Sequence, residues 1–197
     1  MANVVSIARL GAVGTSYASF TSQQSLLTSG TATAASTGLI QLWPGFFQLG
    51  APFEIKMGFN VGWASGQTWV FTVKVGSTNA LVSGTIKTTT SGGTTEPWFI
   101  DIIGRTVSEG NGTLATLEAT GYIEGRGVCP PGATAAANYA AGMGGSMWSE
   151  ATGAAGSGFD STVANTLDVQ VTSGTSSASN TIQLRHLIIL SYGNTAP

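Results

Sequence analysis

The sequence predicts an all-β protein: an antiparallel β-sandwich or jelly roll of about eight strands, with an extended N-terminal arm and one long loop. Three observations carry that expectation. In the centre of the chain, Phe53, Ile55, Met57, Phe59, Val61 and Trp63 alternate with Glu54, Lys56, Gly58, Asn60 and Gly62, and Trp69, Phe71, Val73 and Val75 then alternate with Thr68, Val70, Thr72 and Lys74. Successive strand side chains point to opposite faces, so a period of two marks a strand with one buried face. Residues 165–193 repeat the pattern: Leu167, Val169 and Val171 against Asp168 and Gln170, then Ile182, Leu184, His186, Ile188 and Leu190 against Thr181, Gln183, Arg185, Leu187 and Ile189. Finally, the apolar runs are separated by short Gly, Ser, Thr and Asn tracts, the punctuation of strands joined by tight turns.

Residues 1–37 are weakly patterned and rich in Ala, Ser, Thr and Gly. They read as an arm or lead-in with one short strand around Val4, Val5, Ile7 and Leu10. Residues 38–197 form the sandwich domain. LIQLWPGFF (residues 39–47) gives a short strand stopped by Pro44-Gly45. The two central runs read as a hairpin across a turn at 64–67. A turn at 76–79 leads into a strand over 80–88, and TTTSGGTT (88–95) is a loop. PWFIDIIGRTV (97–107) and residues 113–124 are strands separated by a turn at 109–112, and residues 165–193 close the chain as a second hairpin.

Residues 125–163 break this rhythm and read as one long loop, with a turn or two of helix over 133–141. Unstructured loops of that length are uncommon in compact domains unless functional or packed. Met143, Met147, Trp148 and Phe159 are too apolar for a purely solvated loop, which leaves a flap over the chain's own core or a contact between subunits. Together with Val4, Val5 and Ile7 of the arm, these residues are the candidate partner contacts. Trp63, Trp69 and Trp98 share the parity of apolar neighbours and belong to the core. Trp148 remains a candidate anchor for a partner or a sugar.

Only 8% of the residues are charged, against about 25% in an average soluble domain. A surface so poor in charge points to small hydroxyl side chains and a substantial oligomer interface. The net charge of −2 comes without a basic cluster, which disfavours nucleic-acid binding. No apolar run approaches a membrane span, and no signal peptide is read. One cysteine and one histidine supply no metal-ligand spacing. No nucleophile elbow or dinucleotide fingerprint is present. Glu54, Glu96, Asp101, Glu118 and Glu124 read as separate solvated strand-face carboxylates, and His186 as a satisfied core or interface residue. The expectation is therefore a protein without catalytic, cofactor or metal residues.

The block NTLDVQV (165–171) followed by SSASNTI (176–182) resembles the closing hairpin of virion structural proteins from tailed bacteriophages. The pattern there is T-L-D-hydrophobic-x-hydrophobic, a small-residue loop, S-x-N-x-I and a strand; here Ser179 and Asn180 are adjacent, with no residue between them. The resemblance implies a jelly-roll or sandwich module, often trimeric, of the head-decoration or short-tail type. Without heptads or repeats that would suit a long fibre, the expected function is a homotrimeric capsid decoration (cement) protein. It would be assembled in the host cytoplasm and located on the virion, with the major capsid protein or other virion proteins as partners and an arm that reaches a neighbour. The alternative is a tail-tip or tail-fibre receptor-binding module, or a carbohydrate-binding module with a glycan as ligand.

Overall fold

Each alternating run forms a strand, but the two runs of each expected hairpin do not pair with each other. A computed structural model describes residues 4–9, 16–27, 40–89, 91–129, 143–151 and 158–192. The strands are β1 (Val4–Arg9), β2 (Ser16–Ala18), β3 (Gln24–Ser25), β4 (Ile40–Leu42), β5 (Pro52–Trp63), β6 (Thr68–Val75) and β7 (Thr78–Val82). They continue as β8 (Ile86–Lys87), β9 (Gly93–Ser108), β10 (Thr116–Arg126), β11 (Met143–Ala151), β12 (Asn165–Ser173) and β13 (Thr181–Tyr192). The main sheet has the order β1-β13-β5-β9-β10-β11, with β2 also on β13. The second has the order β3-β12-β6-β7, with β4 on β12 and β8 on β6. All these strand pairs are antiparallel. The protein is a β-sandwich.

The two expected hairpins are corners between the sheets. β5 pairs with β13 in one sheet, while β6 pairs with β12 in the other. Residues 64–67 and 174–180 therefore both cross the roughly 10 Å between packed sheets. A crossing leaves backbone groups outside either ladder, and buried ones need partners. Asn180 and Gln67, both buried, supply them. The Asn180 carboxamide accepts from Ala64 N at 2.8 Å and donates to Thr175 O at 2.7 Å and Ser173 Oγ at 3.2 Å. Gln67 donates to Ser173 Oγ at 2.7 Å and accepts from Thr175 Oγ1 at 2.6 Å. The polar knot ties the two corners together. A true two-residue hairpin does form at Gly76-Ser77 between β6 and β7, with Gly76 at φ +60°.

Between the sheets, Trp63, Trp69 and Trp98 are buried as expected, with ring centroids 5.7 Å (Trp63–Trp98) and 6.2 Å (Trp69–Trp98) apart. Three inward aromatic rings each lie over the glycine directly across the ladder: Phe53 over Gly104, Trp63 over Gly93 and Trp98 over Gly125. A methyl group on any of those glycines would fall within 2.4 Å of the ring. The large ring and the missing side chain are one packing solution, which keeps the interior dense.

Three regions depart from the sequence reading. β13 shifts register between Leu184 and His186. The bulge at Arg185 reverses the phase, so Leu187 and Ile189 are buried and His186 is exposed. The stretch 125–163, expected as one loop, holds the end of β10 and the whole of β11, which pairs along β10 from Glu118↔Ala151 to Arg126↔Met143. The helix expected over 133–141 lies outside the described residues. In the lead-in, β1 and β2 hydrogen-bond to successive parts of β13, and β3 to β12.

Candidate interaction face

The outer face of the main sheet is built from cross-strand rows. One runs His186, Gly58, Phe99, Glu124 across β13, β5, β9 and β10. The next runs Ile188, Lys56, Asp101, Tyr122, and a third runs Leu190, Glu54, Ile103, Thr120. Residues directly opposite on antiparallel strands have Cβ atoms about 5 Å apart, so each row acts as a unit.

Phe99, Ile103 and Val107 stand at every fourth position of β9 and are 55%, 58% and 46% exposed; Tyr122 beside them on β10 is 40% exposed. Single apolar residues on a surface are ordinary, but four large ones on one face, interleaved with Asp101 and Arg105, mark a place suited to cover by another surface. Among the described residues, no strand of the second sheet carries a large exposed hydrophobic side chain. The strip thus gives the sandwich one distinct face.

Several of the charges on and beside it are paired. Lys56 Nζ lies 2.7 Å from Glu54 Oε1 and 3.1 Å from Asp101 Oδ2. Tyr192 donates to Glu54 Oε2 at 2.7 Å. Arg105 pairs with Glu118, and Arg126 with Glu96 at 3.0 Å. Burial pushes the Glu54 carboxyl up, but hydrogen bonds from Lys56 and Tyr192 outweigh it and hold its pKa below the ordinary value. The bonds to Glu54 and Asp101 raise the Lys56 pKa. Glu54 is buried, so the expectation of separate solvated carboxylates fails there: register on β5 and β9 brings Glu54 and Asp101 to one ammonium. The hint in sequence was Glu54 and Lys56 at i, i+2, a spacing that shares a face.

In the middle of the face is a cleft of about 430 Å³ lined by Lys56, Met57, Phe99, Ile100, Asp101, Tyr122, Glu124 and His186. Gly58 makes its notch. A Cβ there would sit 3.3 Å from the His186 Cβ and 3.5 Å from the Phe99 ring. A second, larger cleft of about 820 Å³ lies beside the corner at 64–67, lined by Trp63, Ser65, Thr89, Ser91, Ser179 and the Glu96–Arg126 pair among others.

The expected partner contacts fall in several places. Phe159 is buried in the chain's own core, 5.0 Å ring to ring from Phe47, and bridges to Ala115, the position expected of a flap residue. Val4, Val5 and Ile7 lie on β1 at the sheet edge, where Val4 pairs with Tyr192 and Val5 with Ser191. On β11, Met143, Met147 and Trp148 pair with Arg126, Tyr122 and Gly121; the side chains of β1 and β11 lie outside the described residues. Of the two readings of His186, core or interface, the core one fails, because the bulge turns the residue outward onto this face. Phe99, Ile103 and Val107 went unnoticed in sequence, since WFIDII is apolar on both parities. Among the described residues, no group of three or more His, Cys, Asp or Glu side chains is placed to hold a metal.

No protein-family model matches the chain, and no curated protein matches it at a significant level.

Proposed function

We propose that this chain is a non-enzymatic structural subunit of a tailed-bacteriophage virion, a homotrimeric decoration protein that docks on the major capsid protein and stabilises the head. The observation that carries the assembly part is the apolar strip Phe99, Ile103, Val107 and Tyr122. Lys56 holds Glu54 and Asp101, and Arg105 pairs with Glu118, so a covering subunit has to compensate only the charge left over. Burying such a strip on assembly contributes about 25 cal/mol per Å² of apolar surface. Resistance to pressure from within the shell then comes from contacts added between subunits, and no chemical step is needed. The resemblance in residues 165–182 supports the virion assignment. Binding of the purified chain to decoration-free heads, followed by cryo-EM location of its density, tests the whole reading; density absent from the particle surface would overturn it.

The cleft beside residues 64–67 favours a second reading, a carbohydrate-binding module of a tail tip. Its hydroxyls and the Glu96–Arg126 pair are suited to hydrogen-bonding sugar hydroxyls. A glycan array of wild type against Glu96→Gln and Trp148→Ala separates the readings. Glycan binding lost in Glu96→Gln supports the module; no binding on any glycan leaves the structural role alone.

A further inference from the structure

Any partner that covers the strip also covers the cleft over Gly58, and this constrains the partner's chemistry. The cleft is lined by Asp101 and Glu124 and by the aromatic residues Phe99 and Tyr122, with Glu124 opposite Phe99 and Asp101 opposite Tyr122. Lys56 is the nearby cation, and Glu54 and Asp101 already hold it. Three carboxylates (Glu54, Asp101, Glu124) against one ammonium (Lys56) leave an excess of negative charge. Asp101 binds Lys56 through Oδ2; its Oδ1 is shielded from solvent and has no hydrogen-bond partner among the described residues. An apolar or anionic cover would bury that charge without compensation, at high cost.

We propose that the cleft over Gly58 receives an arginine side chain presented by a neighbouring subunit. The inference rests on the reading that this face seats another subunit, and it names what that subunit brings. A guanidinium is planar, stacks on aromatic rings and carries five donors in a fork that matches carboxylates. Phe99 and Tyr122 supply the rings and Glu124 the acceptor, with the uncompensated charge of Asp101 behind it. Gly58 supplies the depth: with His186 on one side and Phe99 on the other, a larger residue there would fill the notch. A lysine would offer a compact, strongly hydrated charge and would gain less from the two rings.

The test is an NMR titration of ¹⁵N-labelled protein with N-acetyl-arginine methylamide, the neutral isostere N-acetyl-citrulline methylamide and N-acetyl-lysine methylamide. Val107→Asp is used so that an assembled neighbour does not occupy the cleft, and light scattering on the same sample reports its mass. The expected result is a saturable shift of the Gly58, Phe99, Tyr122 and Glu124 amides with the arginine probe, and about tenfold weaker binding of citrulline. Glu124→Gln should weaken the response and Gly58→Leu remove it, with dispersed spectra showing that both remain folded. Equal responses to arginine and citrulline, tighter binding of lysine, or shifts confined elsewhere would overturn the inference. The two readings fail separately. No arginine response in a chain whose wild type assembles removes the cleft inference alone. An arginine-specific response in a chain that never assembles removes the assembly reading and leaves the cleft.

Discussion

Gly104 and Asn180 show how single residues hold this sandwich. A Cβ on Gly104 would lie 2.4 Å from the Phe53 ring and 2.8 Å from the Glu118 carbonyl. The ring can rotate, but the backbone carbonyl cannot move without breaking the β9–β10 ladder. Gly104→Ala should therefore destabilise by about 2 kcal/mol, read as a lower urea midpoint with an unchanged m-value. Gly58→Ala, with contacts no closer than 3.3 Å, should change stability little. Equal losses in both would contradict the packing argument. Asn180 is fully buried and serves three corner groups at once. Asn180→Ala strands Ala64 N–H and the Thr175 carbonyl and should cost about 3 kcal/mol. A loss below 1 kcal/mol, an ordinary surface effect, would mean that the knot is not what closes the corner.

Between neighbouring strands, the cross-strand cluster sets a pH response. Glu54 has a folded pKa below its ordinary 4.5, so its contribution is present above that value and is lost as pH falls through the lowered one. Lys56 has a folded pKa above 10.5, so its contribution is present below that value and is lost as pH rises beyond it. Melting temperature against pH should thus fall at both ends, and Lys56→Met should flatten both limbs. Identical profiles for wild type and variant would contradict the cluster.

Strand existence was legible because alternation reports one buried face wherever the other face is polar, as in Phe53–Trp63. Strand partners were not. A hairpin and a corner between sheets both bury one face, and alternation cannot tell them apart; only the polar pair Gln67 and Asn180 hints at a crossing. Phase was lost in residues 187–190, where Leu, Ile, Ile and Leu suit either face, so the Arg185 bulge left no mark. β11 escaped because MGGSMWSEA has small residues where a strand usually shows β-branched ones; its backbone ladder to β10, and not its side-chain pattern, defines it. The candidate face was illegible for a related reason: Phe99 and Ile103 become unusual only once Ile100 and Ile102 are seen to take the inward positions.

At the scale of the molecule, one sheet carries large exposed apolar side chains among the charges of its outer surface and, among the described residues, the strands of the other carry none. That asymmetry, in a chain with few charges to keep copies apart, makes association the central claim. Assembly through β9 and β10 would leave the second cleft, beside residues 64–67, free at the end of the sandwich. Light scattering during size exclusion of wild type and Ile103→Asp tests this most directly. The account predicts three times the 19.9 kDa chain mass for wild type and a single chain for Ile103→Asp, with the variant still folded and melting cooperatively, at a lower temperature than the assembled wild type. A wild-type protein that runs as one 19.9 kDa chain at every concentration, or an Ile103→Asp variant that assembles as wild type does, would contradict it.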